Sequence, residues 1–437
     1  GVFFHDFEKH IEGSGILFAP YPASKGLAAF GGMVMNNCAG EKTLRYGQMR
    51  KFVEELKMIL ADGEEYSFRA LSPQELEEKK KLQTFEGEVY RKTHECLEKN
   101  FDLVQGARPK VSKNSSGYAL WDVWDRKQFD LTQLFAGSQG TLGVLTEAKL
   151  RLQKAKTHEA LVSVFFRSWG PLPEVVNALL PYDPESLEVF DSETLKLGMR
   201  FVPEIAKKAG MSFIPFALQF VPEAFMGMRM LGLPKLILLH QIAEDSEEEV
   251  TRKADAVRKA LLKFSVLSRV MHSEREMNKY WVMRRESFNL LRQHVSGKRT
   301  APFVDDFCIL PKDIPEFLPQ LLKILKDYKI KANIAGHAGN GNFHIIPLMD
   351  FTKESERAKI APVAEKVFEL VAKYRGSMTA EHNDGIIRSP YLKKMYGERV
   401  YALFEEVKNI FDPLGIFNPG KKVGASVEYM VEHLRRD

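Results

Sequence analysis

Two histidines separated by a short, turn-forming stretch are the residues of this sequence best suited to chemistry. His337 and His344 bracket the motif GHAGNGNFH, whose centre contains Asn340-Gly341. Asn-Gly is the strongest short signal for a two-residue hairpin loop of type I′, because both loop residues need a positive φ. Such a loop would place His337 directly opposite His344, with the Cβ atoms about 4.5–5.5 Å apart. Two imidazoles at that separation can bind one metal ion.

Other readings of this hairpin stay open at this point. Both histidines are also compatible with an ordinary polar hairpin that binds nothing. A loop longer than two residues would break the direct pairing of His337 with His344.

A second group of metal-binding residue types lies in GSMTAEHNDG, residues 376–385, where Glu381 and His382 follow a short strand-like stretch. Two histidines and a glutamate are a common ligand set for catalytic zinc and leave one coordination position open. A histidine that is not a ligand can act as a base near neutral pH. Because neighbours on a strand point to opposite faces, the chain must bend for both side chains to serve one site. The predicted bend is Asn383-Asp384-Gly385.

The elements that must position these residues divide at about residue 157. The stretch 1–157 is rich in glycine turns and contains two predicted strands around an Asp62-Gly63 turn. In 158–390, strand-like runs alternate with long helical patterns, which is typical of an α+β domain. The tail, 391–437, is predicted as a helix followed by a Pro/Gly turn. The strand-like runs are EALVSVFF, KLILLHQI, VLSRVMHS, APFVDDFCIL, IKANIAG and NFHIIPL.

Composition places the chain among globular proteins of two or three domains. It has 437 residues, of which 44% are hydrophobic and 28% charged, and 63 Lys+Arg against 58 Asp+Glu give a net charge of +5. This small excess suits an anionic substrate or a loose contact with a membrane surface, and it does not indicate nucleic acid. No apolar run approaches the ~20 residues of a membrane-spanning helix.

Cysteine usage and the N-terminal stretch bear on the compartment. The three cysteines, Cys38, Cys96 and Cys308, are far apart, which argues against a disulfide framework and against a four-thiolate iron–sulfur site. The first residues lack the basic start and apolar run of a signal peptide. We therefore expect a cytoplasmic protein, with peripheral contact to the inner membrane surface as the alternative.

Six stretches together resemble one family. In chain order they are FAPYPASKGLAAFGGMVMNNCAG, NSSGYALWDV, GSQGTLGVLTEAKLRL, GHAGNGNFH, AEHNDG and LGIFNPGKK. Their types and order are similar to those of the FAD-linked D-2-hydroxyacid dehydrogenases. These are the D-lactate dehydrogenase, glycolate oxidase and D-2-hydroxyglutarate dehydrogenase relatives of the vanillyl-alcohol oxidase superfamily. The match spans nearly the whole chain.

The resemblance implies a fold and a reaction. The fold is an FAD-binding α+β domain of the vanillyl-alcohol oxidase type, present in part over 1–157, and a cap domain with an antiparallel sheet flanked by helices over 158–390. Residues 391–437 would return to the FAD-binding domain. The reaction is oxidation of a D-2-hydroxy acid, similar to lactate, glycolate or 2-hydroxyglutarate, to the 2-oxo acid, with hydride passing to N5 of FAD.

The resemblance also implies roles for individual residues. His337, His344 and Glu381 would hold a divalent metal, with zinc as the expected ion, and His382 would take the proton from the substrate hydroxyl. Arg284, in YWVMRRESF, matches the W-x-x-R arginine of the family, and its guanidinium fork suits the substrate carboxylate. The metal would lower the pKa of the hydroxyl.

The glycine-rich stretches would let backbone N–H groups approach the FAD pyrophosphate without a side-chain clash. The residues expected to contact FAD are Pro22, Ser24, Gly31, Gly32, Asn36, Asn37, Gly40, Gly137, Ser138, Gly140, Thr141, Gly143, Val144 and Asn418.

The sequence departs from the family pattern in three places. Family members carry a further N-terminal part with a PGGGTS-like loop that cradles the pyrophosphate. The chain is therefore expected to be a fragment, or to work with a separate polypeptide that supplies that part. EHNDG replaces EHGIG, which bears on the position of His382, and Gln139 stands where the family has glutamate in GSEGTLG.

Two other functions are compatible with parts of the pattern. A flavin-free metal-dependent hydrolase would use the His/His/Glu set, but it has no need of GSQGTLG or GGMVMNNCAG. A non-catalytic subunit would fit the missing N-terminal loop. For the enzyme, the electron acceptor is expected to be a partner protein or a quinone, because the sequence has no iron–sulfur cysteines and no Rossmann GxGxxG motif after a strand.

Overall fold

A computed structural model of the chain describes residues 1–201, 203–204, 206, 212, 214, 218–294 and 297–436. The strands are β1 Ile16–Leu17, β2 Val53–Ile59, β3 Glu65–Arg69, β4 Val144–Leu150, β5 Gln153–Lys154, β6 His158–Phe166, β7 Ser186–Asp191, β8 Leu236–Glu244, β9 Leu267–Met271, β10 Arg299–Thr300, β11 Phe307–Cys308, β12 Ala332–His337 and β13 Asn342–Met349. The α-helices cover Phe4–Ile11, Phe30–Asn36, Thr43–Tyr46, Pro73–Lys81, Phe85–Lys99, Phe101–Gly106, Thr132–Phe135, Leu172–Leu179, Ser192–Arg200, Val221–Met230, Glu247–Leu261, Glu274–His294, Ile314–Asp327, Glu354–Arg357, Ile360–Lys373, Gly385–Arg388, Leu392–Phe411 and Val427–Glu432.

An antiparallel eight-stranded sheet carries the hairpin of the two histidines. Its strand order is β10-β13-β12-β7-β8-β6-β9, and β11 pairs with β13. Every residue of β7 and β8 is buried. Apolar runs such as LILL in β8 form central strands of this kind because both of their faces are covered by other elements. The hairpin therefore extends from a rigid, covered sheet.

Helices cover both faces of this sheet. Val162 of β6 belongs to a buried cluster that includes residues of helix Glu247–Leu261. Its neighbour Leu161 belongs to a second cluster that includes residues of helix Glu274–His294. Because successive strand residues point to opposite faces, the two helices lie on opposite sides. The predicted antiparallel sheet flanked by helices is confirmed, and no helix in the described part of the chain is long and apolar enough to cross a bilayer.

Two smaller sheets involve the first 157 residues. One has the strand order β3-β2-β4, and the other pairs β1 with β5. In the first, Ile59 lies opposite Glu65 across a turn in which Gly63 has a φ of 85°. The hairpin predicted around Asp62-Gly63 is therefore present. The alternating strand predicted after GSQGTLG is β4.

Strand β7 and the run APFVDDFCIL differ from the prediction. Strand β7, SLEVFD, was not predicted. It is fully buried, but its charged residues Glu188 and Asp191 make its hydropathy unlike that of a buried strand. Within APFVDDFCIL, only Phe307–Cys308 forms a strand. Asp306 has a φ of 74°, a left-handed conformation that interrupts an extended chain. Both differences place acidic residues in the interior, where they need partners.

The tail packs against the N-terminal part of the chain. The ring of Phe411 lies 5.4 Å from that of Phe135, edge to face. The Lys408 ammonium donates to the carbonyl of Thr141 at 2.6 Å. These contacts hold the tail beside the GSQGTLG stretch, and the domain boundaries at residues 157 and 390 stay predictions.

Candidate functional site

The β12–β13 hairpin brings His337 and His344 to one face, in a register that differs from the prediction. His344 lies opposite Ala335, and His337 lies opposite Asn342. The predicted direct pairing of the two histidines is therefore wrong. They are diagonal neighbours instead, and positions two apart on a strand share a face. Their ring centroids are 5.3 Å apart.

The loop explains this register. Residues 338–340 form a 3-10 turn, and Gly341 follows with a φ of 70°. A type I′ loop needs two successive residues with positive φ, but here only Gly341 of the predicted pair has one. A Cβ at this position would overlap the carbonyl oxygen of Ile309. Close packing against the segment that contains Ile309 therefore requires glycine at position 341. The loop between the two strands has four residues, 338–341.

A bend carries Glu381 and His382 to the hairpin. The backbone N–H groups of both residues donate to Oδ2 of Asp306, at 2.9 and 2.7 Å. The chain bends from Ala380 through His382, earlier than predicted, and Asn383 continues the bend with a φ of 66°. The alternation expected of a strand does not apply, so Glu381 and His382 can face the same site.

Three imidazoles converge on one oxygen atom. Oε1 of Glu381 lies 3.2 Å from Nε2 of His337 and 3.2 Å from Nε2 of His344. Nε2 of His382 is 3.7 Å from the same oxygen. The predicted ligands His337, His344 and Glu381, and the predicted base His382, therefore meet at one point. Imidazole nitrogen and carboxylate oxygen are among the ligand atoms that bind zinc, so the cluster has donor types that suit a metal ion.

The opposite nitrogens of these rings are held by buried carboxylates. Nδ1 of His337 is 2.7 Å from Oε1 of Glu188. Nδ1 of His344 is 3.0 Å from Oδ1 of Asp305. Nδ1 of His382 is 3.1 Å from Oδ2 of the same aspartate. Carboxylates in this position fix the ring orientation and the tautomer of metal-binding histidines.

Nearby carboxylates also shift the pKa values of two of the rings. Burial lowers the pKa of His344, but the charges of Asp305 and Glu381 outweigh burial and raise it to about 10. The pKa of His382 is also raised, because Asp306 and Asp305 outweigh burial. A metal at this site must displace protons from such rings, so its affinity rises with pH.

A fully buried lysine completes the surroundings of Glu381. The Lys113 ammonium donates to Oε2 of Glu381 at 3.2 Å and to Oδ1 of Asn342 at 3.3 Å. Burial raises the pKa of Glu381, but Lys113 and His337 outweigh it and hold that pKa well below its usual range. Because Lys113 occupies Oε2, the oxygen that faces the imidazoles is Oε1.

Asp306 is close enough to compete as a ligand. Ligand atoms of Asp306, His344, Glu381 and His382 all lie within 4.8 Å of one another. Oδ2 of Asp306 already accepts three hydrogen bonds, two from the backbone of the bend and one from the Thr379 hydroxyl at 2.6 Å. Asp306 therefore holds the bend, and the predicted ligand His337 is not among the four residues whose ligand atoms lie within 4.8 Å of one another, although its Nε2 contacts Oε1 of Glu381.

Arg284 lies beside this cluster, and Arg285 lies farther out. Arg284 donates to Oε2 of Glu188 from Nε at 3.1 Å and is 2.8 Å from it through Nη2. Its side chain is 11% exposed. Arg285 pairs with Glu41 and is 36% exposed. Of the two arginines, Arg284 shares a carboxylate with the candidate ligand His337.

Open space borders several glycines expected to face FAD. A Cβ at Gly31, Gly32 or Gly140 would meet no atom within 4 Å. The hydroxyl of Ser138 is buried and has no hydrogen-bond partner in the described part of the chain. Buried polar groups are normally hydrogen-bonded, so an unpartnered one fits a missing ligand. These residues fit one wall of an FAD site.

Other residues expected to contact FAD instead shape that wall. Oδ1 of Asn37 accepts from the backbone N–H of Arg50 at 2.9 Å. The hydroxyl of Thr141 bonds that of Tyr118 at 2.6 Å. The glycines required by packing are Gly40, Gly137 and Gly143, where a Cβ would crowd Tyr21, Asn37 and Ile59 respectively.

The remaining residues predicted to contact FAD lie at the edges of this wall. Pro22 and Ser24 accept backbone hydrogen bonds in a surface turn. Val144 opens β4 with an exposed side chain. Asn418 donates from Nδ2 to the carbonyl of Gln139 at 2.7 Å, which ties the tail to the glycine loop.

Hydrogen bonds join the candidate flavin wall to the histidine cluster. Nδ2 of Asn36 donates to the carbonyl of Glu381 at 2.7 Å. Nδ2 of Asn383 donates to the carbonyls of Asn36 at 3.1 Å and Gly137 at 2.9 Å. The two sites are therefore neighbours in one rigid network of loops. Asn36, expected to contact FAD, holds the backbone of a candidate metal ligand.

The substitutions in EHNDG are accommodated locally. Asn383 replaces glycine at a left-handed position that asparagine tolerates. Asp384 replaces isoleucine and is fully buried, and its Oδ2 accepts from the buried Lys422 ammonium at 2.8 Å. Oε1 of Gln139 accepts from the backbone N–H of Gly385 at 3.0 Å, a bond that glutamate can also make. These changes leave His382 at the cluster.

Residues central to the cluster were missed by sequence reasoning. They are Lys113, Glu188, Asp305 and Asp306, all buried. The available signal was the presence of charges inside stretches that otherwise have the composition of buried strands, as in SLEVFD and FVDDF. Charged residues are almost never fully buried unless paired, so such charges indicate a partner.

Comparison with known proteins agrees with this architecture. The model of the "FAD linked oxidases, C-terminal domain" family matches residues 155–422, more than half of the chain, and that of the "FAD binding domain" matches residues 1–69. The fold is also that of 4-ethylphenol oxidase from Gulosibacter chungangensis, with a TM-score of 0.61, 13% identity and coverage of 98% of this chain and 76% of that one. The expected fold of the vanillyl-alcohol oxidase type is confirmed.

Curated relatives have names that match the resemblance. A D-2-hydroxyglutarate dehydrogenase of Pseudomonas putida is 29% identical over 412 residues, which cover 93% of this chain and 39% of the relative. The glycolate oxidase subunit GlcD of Bacillus subtilis is 24% identical and is covered to 72%, with 96% of this chain. The chain thus spans about two fifths of the length of the first of these relatives. The chain belongs to the FAD linked oxidase family.

Proposed function

We propose that the chain takes part in the FAD-dependent oxidation of a small D-2-hydroxy acid to its 2-oxo acid. The observation that carries the proposal is the convergence of His337 and His344 on one oxygen of Glu381, beside a glycine-lined wall that fits FAD. Family membership and the names of the relatives support the flavin and the substrate class. Bound FAD would accept the hydride from the substrate.

In this proposal, His337, His344 and Glu381 hold a divalent metal, and zinc is the ion that their donor types favour. A metal there would lower the pKa of the substrate hydroxyl and orient it. Lys113 keeps Glu381 ionised and leaves Oε1 for the metal. Asp305 and Glu188 hold Nδ1 of the two imidazoles, which leaves Nε2 of each directed at Oε1 of Glu381, where the metal would be held.

His382 is the proposed base. Asp305 holds its Nδ1, so the nitrogen that faces the centre is Nε2. Its side chain is 44% exposed, which gives substrate and solvent access to it. The carboxylates raise its pKa, and a neighbouring cation opposes that shift, so a neutral ring that accepts the hydroxyl proton is favoured in the loaded site.

Arg284 is the proposed anchor of the substrate carboxylate. Its guanidinium lies next to the cluster and is paired with Glu188, and its side chain is 11% exposed. A planar guanidinium orients a carboxylate better than an ammonium does. Metal and Arg284 together would fix the two functional groups of a 2-hydroxy acid, which places its α-hydrogen.

Further partners belong to the same proposal. Because Gly31 and Gly32 are exposed, a further part of the flavin site, on a longer chain or a separate polypeptide, is proposed to cover them. Electrons are proposed to leave to a partner protein or a quinone. The three cysteines are buried free thiols, which supports a reducing, cytoplasmic location.

A dye-linked assay tests the proposal. The protein, supplied with FAD and zinc, should reduce an artificial electron acceptor when given D-lactate, glycolate or D-2-hydroxyglutarate, with one molecule of the matching 2-oxo acid formed for every two electrons transferred. L-Lactate and L-2-hydroxyglutarate are the matched controls for the two chiral acids. Failure of all these acids in protein that retains flavin and metal would refute the assigned substrate class.

A further inference from the structure

Glu188 touches two groups that the proposed reaction uses separately. It lies on the central strand β7 and is fully buried. Oε1 is 2.7 Å from Nδ1 of His337, a proposed metal ligand. Oε2 is 3.1 Å from Nε of Arg284 and 2.8 Å from its Nη2, on the proposed carboxylate anchor. One carboxylate therefore bridges the two.

The sheet and the helix packed on it place the two partners of Glu188 on either side of it. Strand β7 pairs with β12 beside His337, since Val189 lies opposite Gly336. Helix Glu274–His294 packs on the sheet and carries Arg284. Strand and helix therefore hold Glu188 where each of its carboxylate oxygens engages one of the two partners.

We infer that Glu188 is a positioning residue that sets the metal ligand and the substrate anchor relative to each other. The inference rests on the proposed function. When His337 binds a cation, its Nδ1–H becomes a stronger donor and draws charge on Glu188 away from Arg284. The guanidinium then interacts more strongly with an incoming carboxylate. By linkage, an anion on Arg284 strengthens metal binding by the same factor.

Glu188→Asp is the informative change, because it keeps the charge and removes one methylene of reach. The variant is compared with wild type by titration with Co²⁺, whose absorption reports its ligands. The anion probe is 2-hydroxy-2-methylpropanoate, an α-hydroxy acid that has no α-hydrogen and so cannot be oxidised. Its affinity is measured at saturating Co²⁺ from the change in that absorption.

If Glu188 bridges the two groups, Co²⁺ affinity falls by at least about 10-fold in Glu188→Asp, as for other partners that orient metal ligands. The anion affinity at saturating Co²⁺ falls by about five-fold or more, the lower range of site-to-site coupling. Glu185→Asp is the matched control. Glu185 is also buried, and its side-chain partners in the described part of the chain are Lys42 at 2.7 Å and Tyr46 at 3.2 Å, both outside the cluster, so both affinities should match wild type.

Two results would overturn the inference while leaving the metal centre intact. One is a Co²⁺ affinity in Glu188→Asp equal to that of wild type. The other is weaker Co²⁺ binding with an unchanged anion affinity, which would make Glu188 a partner of His337 alone. Wild-type protein that binds no divalent ion would refute the proposed metal centre itself, and the inference with it. Glu188→Gln, which keeps the length and loses the charge, supplies the same two affinities if Glu188→Asp does not fold.

Discussion

Nε2 of His337 lies 3.2 Å from Oε1 of Glu381, although the two residues are 44 positions apart in the chain. The contact joins the end of a hairpin to a bend held by Asp306. Both segments are anchored in buried structure, so the distance does not depend on mobile surface loops. Because the side chains of such a site are already ordered, metal binding loses little conformational entropy.

The first prediction concerns metal content. His337→Ala and His344→Ala should each lose the divalent ion that the wild-type protein binds, because two remaining ligands hold zinc weakly. The fold should persist, since the sheet beneath the hairpin is covered on both faces. His272→Ala is the control, because His272 is exposed and outside the cluster. Elemental analysis of the three variants settles the assignment, and equal metal content in all of them would show that it is wrong.

The second prediction separates the two arginines. Arg284→Lys should weaken binding of the acid by about 1.5–3 kcal/mol, the value of a charged hydrogen-bonding pair. An ammonium keeps the charge but cannot reproduce the planar fork. The same change at Arg285, which pairs with Glu41 away from the cluster, should have a small effect. Steady-state KM and inhibition by the 2-oxo acid measure this, and the reverse order of effects would reassign the anchor to Arg285.

The third prediction concerns His382. His382→Asn should lower kcat by about 10²–10⁴, the usual contribution of a positioned base, with the metal retained. If His382 only supports the ligands, metal affinity should instead fall by about 10–100-fold and turnover recover at saturating zinc. Turnover and metal content measured on the same preparation distinguish the two roles. Normal turnover with weak zinc binding would leave the base unassigned.

The fourth prediction concerns stability. Lys422→Met should destabilise the protein by about 3–5 kcal/mol, because it leaves the buried Asp384 charge without its cation. Adding Asp384→Ile, the residue found in the related EHGIG motif, should restore part of the loss, since an apolar pair can replace a buried ion pair, but the Ser116 hydroxyl and the Gly117 N–H lose their acceptor. Urea unfolding of the single and double variants measures this. A double variant less stable than Lys422→Met alone would show that the hydrogen bonds from Ser116 and Gly117 outweigh the cost of the unpaired charge.

The candidate ligands could be predicted from the sequence, but their geometry could not. His337, His344, Glu381 and His382 are residue types with metal chemistry, and their motifs resemble a family. The predicted register of the hairpin was wrong because the conformation of the loop depends on packing of Gly341 against Ile309. Rules for local turns do not take such a contact between distant parts of the sequence into account.

The burial of these charged residues could not be predicted from the local sequence for a related reason. Glu188 and Asp305 lie in stretches whose charges argue against burial, and only the three-dimensional structure shows the histidines that pair with these carboxylates. The flavin wall was predicted as a set of residues that touch FAD. The structure divides that set into glycines that border open space and residues, such as Asn37, that shape the loop.

Anaerobic reduction of the flavin by single enantiomers is the decisive measurement. The protein, loaded with FAD and zinc together with any further flavin-binding part, is mixed without oxygen with D- or L-lactate and with D- or L-2-hydroxyglutarate, while the blue absorption of the flavin is followed. We expect a D-enantiomer to bleach the flavin, its L-enantiomer to leave it oxidised, and His344→Ala to abolish the bleaching. Flavin that stays oxidised with every D-2-hydroxy acid, in protein shown to contain both FAD and metal, would contradict the proposed oxidation.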